Sequence, residues 1–583
     1  ERQVSEYLAR PLRFYLHPPA FPEDARYHHD RVIRRLMEHF RDAKIAEVSH
    51  IPHEHTGFLI VWGVGLGHHI GRLIDSLDFR NLIVVEQYIE FVYQSLKLQD
   101  WAGWFEKIVA RGGSVQFFIN DEPEQISQGL YWYMRGNQFG LLDGTYIYRH
   151  YTSLVMDASH EAFKDSLPVL PASIGFFEDE NVMLTNCFAN LVDNSFALIE
   201  DRPNREKPVP AFIVGSGPSV DSCIHKIKEL ADRAVVISCG TGLGVLLRNG
   251  IRPDFHCEME NVPAVYEHLS GLREKFGFDG LRLIASTTVD PQVPKLFNDL
   301  TFYFRDTVSS TELFGRGVAP IYGGGPTVTN LGLRMAITLG FGEIYLFGVD
   351  LGARKPTQHH SKDSIYVNNA NWAKNYANNI EKMSIKLPAN FGGESYTNRV
   401  LLWARVLMQG VLEGFPTLKV YNCSDGALIG GTTPKVARSL KLACVPADKA
   451  ATLARLRNEL GRKAAGEMLD PADIAKARDN FDRWYGDVLG ALRTAQTEGA
   501  DILAVYDRVS ALIHGLKETS ARSEIWSVNV GTLMMCFQFG YFLVRRLRAD
   551  KRAEFMDVYL DALTETVAAM RKELVAFFER MIA

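Results

Sequence analysis

The sequence has few cysteines, and their spacing excludes the common cysteine-based sites. Only seven occur in 583 residues, and none forms a Cys-x-x-Cys pair or another spacing typical of zinc binding. An odd, scattered set also argues against a disulfide framework. We therefore expect reduced thiols in a cytoplasmic protein, most of them packed as small core residues. They are Cys187, Cys223, Cys239, Cys257, Cys423, Cys444 and Cys536.

Long apolar runs and an excess of charge of one sign are also absent. The longest apolar run, Met534 to Val544, contains Gln538 and Gly540 and is too short to cross a bilayer, so we expect a buried helix. The first residues are charged and do not resemble a secretory signal. The net charge of −5 gives no electrostatic reason to bind nucleic acid. We expect neither a membrane nor a nucleic-acid partner.

The length of 583 residues exceeds what one core supports, so two to four domains are expected. The first, residues 1–172, is predicted to be a Rossmann-like α/β domain. A strand at Phe58–Trp62 leads into a glycine turn, Gly63–Gly67, and a second strand ends on Glu86. This spacing suits a nucleotide ribose on Glu86, and it suits an empty structural turn equally. We favour the structural interpretation.

Residues 173–440 are predicted to form a central α/β domain with a mostly parallel sheet. Apolar strands alternate with helical patterns there, and ligands of such sheets bind at the carboxyl ends of the strands. Residues 441–583 are predicted to form a C-terminal helical bundle, because apolar residues recur there at intervals of three and four residues. Such a bundle would serve packing, oligomerisation or partner docking. The predicted central strands are Ala211–Val214, Ala234–Ser238, Asp254–Glu260, Leu281–Ser286, Leu300–Phe304 and Glu343–Val349.

One turn stands at the centre of this organisation. The strand Ala211–Val214 runs into Gly215, Ser216, Gly217, Pro218 and Ser219, and a helical pattern follows. Backbone N–H groups in such a turn, with the positive end of a helix dipole behind them, form an anion site. Ser219 is expected to cap the helix. The turn lacks the lysine of a P-loop and the third glycine of a dinucleotide fingerprint. Alone, it would therefore indicate only a plain strand-to-helix turn.

Other predicted strand ends bring functional groups to the same edge. Each has a structural explanation when taken alone, such as a solvated carboxylate or an exposed loop histidine. Glu258 and Glu260, two apart on one predicted strand, should share a face. Together the groups favour a binding site for a phosphate-bearing ligand. They are Gly240 and Thr241, Glu258 and Glu260, Gly324, Gly325 and Thr327, and Asp350 with the following loop that carries His359, His360, Ser361 and Tyr366.

These segments resemble a known family. GSGPSVD, AVVISCGTG, LLRNGIRPDFHCEMEN, YGGGPTVTNLGLRMAITLGFGEIYLFGVDLG and HHSKDSIY are similar to the motility accessory factor (Maf) family of flagellin glycosyltransferases. The resemblance covers residues 175–440 approximately, and the three-part layout around them. The central domain is also similar to bacterial sialyltransferases, which use CMP-activated nonulosonic acids. Their motifs have counterparts here in Gly217–Ser219, Gly325–Thr327 and Glu343–Asp350.

The resemblance implies transfer of pseudaminic or legionaminic acid from its CMP form to Ser or Thr of flagellin. The reaction would be an inverting displacement through an oxocarbenium-like transition state. A histidine near its ordinary pKa suits the general base, and we favour His360, with His359 second. Ser216, Ser219 and Thr327 would hold phosphate or the sugar carboxylate. Backbone N–H groups would stabilise the leaving phosphate, and we expect no metal and no cofactor.

Two other functions remain open. The central region also resembles an archaeal pterin pyrophosphokinase family, which implies ATP and Mg²⁺, with Glu258, Glu260 or Asp350 as oxygen ligands. The second alternative is a flagellin-binding scaffold whose nucleotide site is vestigial. An oligomer is compatible with all three.

Overall fold

The computed structural model describes residues 1–14, 26–42, 55–120, 122–167, 175–201, 207–370, 372, 374 and 382–582. The chain packs into two compact units. One contains residues 1–178 and 476–580, and the other contains residues 179–475. The predicted boundary between residues 172 and 173 lies outside the described residues. The three-domain division stays a prediction.

The first unit contains a sheet in the order β1-β5-β2-β3-β4. Strand β1 is antiparallel to β5, and the other pairings are parallel. The central strands of this sheet are buried on both faces, as expected for a parallel sheet covered by helices. The strands are β1 (Arg13–Phe14), β2 (Thr56–Trp62), β3 (Phe79–Glu86), β4 (Val115–Ile119) and β5 (Thr145–Arg149). The helices are α1 (Arg2–Ala9), α2 (His28–Asp42), α3 (His68–Ser76), α4 (Ile89–Leu98), α5 (Trp101–Ala110), α6 (Pro123–Gly136) and α7 (Leu154–Ser166), with a 3₁₀ turn at Gln138–Asp143.

The second unit is built on a larger sheet in the order β16-β15-β12-β7-β8-β9-β10-β11-β6-β17. Its pairings are parallel except that β17 is antiparallel to β6. The strands are β6 (Phe196–Ile199), β7 (Ala211–Val214), β8 (Val235–Cys239), β9 (Phe255–Glu258), β10 (Arg282–Ser286), β11 (Asp299–Tyr303), β12 (Glu343–Phe347), β13 (Ile385–Pro388), β14 (Glu394–Thr397), β15 (Lys419–Asn422), β16 (Thr433–Pro434) and β17 (Gly461–Lys463). Strands β13 and β14 form a separate antiparallel pair.

Helices flank this sheet and bury its apolar residues. They are α8 (Phe177–Asp193), α9 (Val220–Leu230), α10 (Gly242–Arg248), α11 (Pro263–Phe276), α12 (Ser309–Phe314), α13 (Val328–Thr338), α14 (Ile365–Asn368), α15 (Arg399–Glu413) and α16 (Pro446–Glu459), with 3₁₀ turns at Pro294–Leu296 and Ala437–Ser439. One core cluster includes Ile213, Leu331 and Ile344, and another includes Phe212, Ile224 and Phe347. Residues at alternate positions of the strands therefore form an apolar core on each face of the sheet.

The strand order places a topological switch point between β7 and β12. From β7 the chain proceeds to β8 on one side, whereas β12, much later in sequence, pairs with β7 on the other side. Ligands of open parallel sheets bind in the crevice beyond the carboxyl ends of the strands at such a point. The turn that follows β7 is Gly215–Ser219, so the topology itself selects the turn that the sequence singled out.

From residue 471 the described chain is mainly helical, with α17 (Pro471–Glu498), α18 (Ile502–His514), α19 (Thr519–Arg545) and α20 (Ala549–Ile582). Helix α19 is long and apolar enough to span a membrane by length and composition, but 89% of its most apolar window is buried inside the protein. The predicted buried helix at Met534–Val544 is thus confirmed. None of the seven cysteines forms a disulfide, and six of them are buried.

Candidate active site

The turn after β7 lies directly against the end of β12. The Gly217 N–H donates to the Gly348 carbonyl at 2.9 Å. A Cβ on Gly217 would lie 2.0 Å from Asp350 Oδ2 and 2.7 Å from the Gly348 oxygen. Gly348 itself has a φ of 61°, in the region that favours glycine. The close approach of the two backbones therefore requires glycine at residue 217.

The hydroxyl of Ser219 points to Asp350 rather than to the helix that it precedes. Ser219 Oγ donates to Asp350 Oδ2 at 2.9 Å, and its side chain makes no capping hydrogen bond to α9. The expectation that Ser219 caps this helix is therefore wrong. Asp350 is buried, and this burial raises the pKa of its carboxyl to about 7, with Asp425 and Asp221 adding to the effect. A carboxyl with this pKa changes its charge near neutral pH.

The second glycine turn and the start of α13 meet the first turn. Ser216 Oγ and Thr241 Oγ1 are hydrogen-bonded at 2.7 Å. A Cβ on Gly215 would lie 2.9 Å from Thr329 Cγ2, and one on Gly240 would lie 3.6 Å from Val328 Cγ1. The two turns and this helix N-terminus thus share one small volume, as the sequence predicted. Such a helix start favours a bound anion.

The residues before α13 are arranged around hydroxyl and amide groups. Thr327 Oγ1 donates to Asn330 Oδ1 at 2.6 Å and makes no capping bond to the helix backbone. Gly324 and Gly325 precede it, and the peptide bond between Gly325 and Pro326 is cis. A Cβ on Gly325 would meet no atom within 4 Å, so this glycine faces open space.

Glu258 and Glu260 lie at the end of β9, but not as predicted. The strand ends at Glu258, so Glu260 lies beyond it and the strand periodicity does not extend to it. Glu258 is buried and accepts the N–H groups of Met259 and Glu260 at 2.9 and 3.2 Å. Burial, with the charge of Glu260, raises the pKa of Glu258 to about 7. Glu260 is accessible to solvent but crowded by protein, which raises its pKa against the opposing effect of Arg305.

Arg305 is a charged group of this edge that the sequence did not reveal. It follows β11, is half-buried, and its positive charge lowers the pKa values of Glu260 and Asp306 against the effect of their burial. The Asp306 carboxylate accepts the Gly323 N–H at 3.0 Å and so ties this strand end to the turn before α13. A single arginine after an apolar strand carries no motif that sequence inspection could have used.

The histidine loop lies on the Gly215–Ser219 turn. The Ser361 N–H donates to the Ser216 carbonyl at 2.9 Å. The ring of His360 stacks on Tyr366, with centroids 4.2 Å apart and planes at 15°, and lies 5.0 Å from the ring of His359. Burial and the neighbouring His359 lower the pKa of His360 to about 3, and burial lowers that of His359. The expectation of a histidine near its ordinary pKa is thus wrong for His360, which is neutral at pH 7.

Tyr366 lies near both the histidines and the acidic residues at the end of β9, Glu258 and Glu260. Burial, with the charges of Glu260 and Glu258, raises the pKa of Tyr366 to about 12. The histidine loop is therefore near the ends of both β7 and β9. Among the described residues, no group of three or more His, Cys, Asp or Glu side chains is arranged to hold a metal ion.

The glycine turn of the first unit differs from that of the second. Glu86, which could have held a ribose, is buried and accepts the N–H groups of Val64, Gln87 and Tyr88 at 2.7, 2.8 and 3.0 Å. Its other contact is the hydroxyl of Tyr151. A Cβ on Gly63 would lie 2.6 Å from the Tyr151 ring, so the chain itself fills this turn. The geometry supports a structural role, which stays a prediction.

Comparison with known proteins shows which families the chain resembles. Residues 1–171 match the family described as the glycosyltransferase Maf N-terminal domain, and residues 183–356 match the family described as 6-hydroxymethylpterin diphosphokinase MptE-like. The whole chain is similar to the structure of the Maf glycosyltransferase from Magnetospirillum magneticum AMB-1, with 29% identity, a TM-score of 0.75, and coverage of 100% of this chain and 88% of that chain. The resemblance to the Maf family is confirmed.

This likeness to a Maf glycosyltransferase also confirms the predicted α/β fold class with its parallel sheets and C-terminal helices. The same likeness supports the prediction that this protein is a glycosyltransferase. No curated protein matches the chain. The match of residues 183–356 to the MptE-like family covers the switch-point turn, the acidic strand ends up to Asp350 and most of the larger sheet, and it ends before His359 and His360.

Proposed function

We propose that this protein is a flagellin glycosyltransferase that moves a sialic-acid-like sugar, pseudaminic or legionaminic acid, from its CMP donor to Ser or Thr hydroxyl groups. The observation that carries the proposal is the convergence of the Gly215–Ser219 turn, the Gly240–Thr241 turn and the start of α13 at the switch point. The N–H groups of Gly215 and Gly217 donate to the carbonyls of Phe347 and Gly348, so they are not available to a ligand. A phosphate would instead be held by the hydroxyl groups of Ser216 and Thr241 and by the N–H groups at the start of α13, without requiring a metal. The similarity to a Maf glycosyltransferase supports this reaction class.

The donor phosphate would lie at the Gly215–Ser219 turn, where charge develops as CMP departs. Ser216 and Thr241 would contribute hydroxyl groups, because each lies at a turn and their oxygens are 2.7 Å apart. Stabilising negative charge with preorganised donors accelerates a reaction most when the donors need no rearrangement. Gly217 packs closely against Asp350 and the Gly348 carbonyl, and this close packing keeps the backbone of the turn fixed.

His360 would accept the proton of the acceptor hydroxyl, with His359 as the second candidate. Because its pKa is lowered, His360 is unprotonated at neutral pH and one ring nitrogen can accept a proton. A buried imidazole is a weak base, so the reaction needs a nearby negative charge that appears with the bound donor or with ionised Glu258 and Glu260. Tyr366 stacks on His360 and lies close enough to Glu258 and Glu260 for their charges to raise its pKa.

A second candidate is pyrophosphoryl transfer from ATP, which the MptE-like match favours. In that reaction Glu258, Glu260 or Asp350 would bind Mg²⁺ through carboxylate oxygens together with substrate phosphates. The two functions differ in their nucleotide and in their metal requirement.

The test is a transfer assay with purified protein, flagellin and CMP-activated pseudaminic or legionaminic acid, followed by intact-mass spectrometry. The proposal expects flagellin to gain the mass of whole sugar residues and CMP to be released in equal amount. His360→Asn should lower kcat by about 10² to 10⁴. His225→Asn, an exposed histidine on α9, is the matched control and should retain the wild-type rate. Formation of AMP from ATP with a pterin alcohol, without sugar transfer, would establish the second candidate instead.

A further inference from the structure

The loop that carries His359 and His360 is hydrogen-bonded to α9 through the carboxylate of Asp221. Ser361 Oγ donates to Asp221 Oδ1 at 2.5 Å, and the Lys362 N–H donates to Asp221 Oδ2 at 3.1 Å. Both oxygens of Asp221 are thus used by the residues that follow His360. Ser361 is fully buried, so its hydroxyl would lose its acceptor at a high cost if Asp221 were removed.

Further bonds hold the rest of this loop. Arg248 Nη1 donates to the Asp363 carbonyl at 2.6 Å, and Asn249 Nδ2 donates to Asp363 Oδ2 at 2.9 Å. These contacts join the far end of the loop to α10. The Ser361 N–H joins its near end to the phosphate-binding turn through the Ser216 carbonyl. Of these anchors, Asp221 holds the two residues that come directly after His360.

We propose that Asp221 is a positioning residue, whose carboxylate holds the Ser361–Lys362 backbone so that the His360 ring faces the Gly215–Ser219 turn. The proposal rests on the proposed function, because it concerns the histidine assigned there as the base. Asp221 lies in the first turn of the helix that begins behind the phosphate-binding turn. The same short helix start therefore fixes both the anion site and the loop that supplies the base. Small displacements of a base relative to its acceptor lower rates strongly, which gives such an anchor kinetic consequences.

The kinetic test compares Asp221→Ala with Asp221→Asn, which keeps one acceptor oxygen for the Ser361 hydroxyl. Glu229→Gln is the control, since Glu229 is exposed on the same helix and pairs with Lys226. Asp221→Ala should lower kcat by at least about tenfold and change the donor KM by less than about twofold, because a misplaced base affects the transition state and not ground-state binding. Asp221→Asn should recover part of kcat.

A double-variant cycle separates positioning from general destabilisation. In a His360→Asn background, Asp221→Ala should change kcat by less than about twofold, since there is no base left to position. An equal loss in both backgrounds, or a loss confined to KM, would overturn the inference. Hydrogen exchange provides a readout without catalysis: the amides of residues 361–363 should exchange faster in Asp221→Ala than in wild type. Unchanged exchange overturns the proposal. Faster exchange in Asp221→Ala, together with a wild-type protein that transfers no sugar, overturns the proposed function and leaves Asp221 as an anchor only.

Discussion

Ser219 and Asp350 lie 131 positions apart in sequence and meet at 2.9 Å, where the serine hydroxyl donates to the aspartate carboxyl. This contact joins the ends of the two strands that flank the switch point, β7 and β12. It uses a side chain that the sequence assigned to helix capping, and it places a titratable carboxyl at the wall of the proposed phosphate site. The predictions below follow from this arrangement.

Gly217→Ala should abolish the nucleotide site while leaving most of the fold intact. The added Cβ would lie 2.0 Å from Asp350 Oδ2 and 2.7 Å from the Gly348 oxygen, so the turn must move. We expect CMP affinity, measured calorimetrically, to fall by at least about tenfold, which corresponds to about 1.4 kcal/mol. Gly271→Ala is the matched control, because a Cβ there meets no atom within 4 Å and alanine favours the helix. Equal CMP affinity in the two variants would contradict the assignment of the turn.

Asp350→Asn should change the pH dependence of stability. The folded-state pKa of Asp350 is raised from 3.8 to about 7, so ionisation opposes folding and wild-type stability falls as pH rises through that interval. Asparagine still accepts a hydrogen bond from Ser219 and does not ionise. The variant should therefore gain stability relative to wild type between pH 5 and pH 8, by an amount on the order of 1 to 3 kcal/mol.

Urea unfolding at the two pH values measures this difference directly. Buried Glu258 and Glu180 are present in both proteins, so their own titration cancels in the comparison. A difference between variant and wild type that stays constant with pH would show that Asp350 remains ionised throughout the interval.

Glu86→Ala should destabilise the first unit and leave nucleotide binding unchanged. The buried Glu86 accepts three backbone N–H groups and the hydroxyl of Tyr151, and alanine would leave these donors without an acceptor. Each such loss costs about 1 to 3 kcal/mol, so a decrease of several kcal/mol in the free energy of unfolding is expected. Chemical unfolding measures it, with CMP titration of the folded variant as the control. A large loss of CMP affinity would indicate that the turn after β2 binds the ligand.

Local sequence patterns predicted the parts of the site that depend on local chemistry. The turn at Gly215–Ser219, the turn at Gly240 and the helix start at Thr327 are each built from consecutive residues whose glycines and hydroxyls are visible in the sequence. Their convergence also followed from a general property of parallel sheets. The apolar run in α19 was correctly predicted to be a buried helix.

Contacts between residues that are distant in the chain could not be predicted from the sequence. The Ser219 hydroxyl could have capped α9 on local grounds, and only the fold brings Asp350 close enough to compete. The end of β9 at Glu258 was also unpredictable, because its carboxylate turns back to accept the next two N–H groups and thereby ends the strand. The lowered pKa of His360 depends on its burial against Tyr366, which no spacing reveals. The role of Arg305 likewise depends on the acidic residues that the fold places beside it, Glu260 and Asp306.

The most direct test of the account is calorimetric titration of the purified protein with CMP in the presence of EDTA, beside ATP with and without Mg²⁺. The account predicts that CMP binds without metal, and that Ser219→Phe, which places a bulky ring in the switch-point turn, abolishes this binding. Binding of ATP with an absolute Mg²⁺ requirement, and none of CMP, would contradict it and favour pyrophosphoryl transfer.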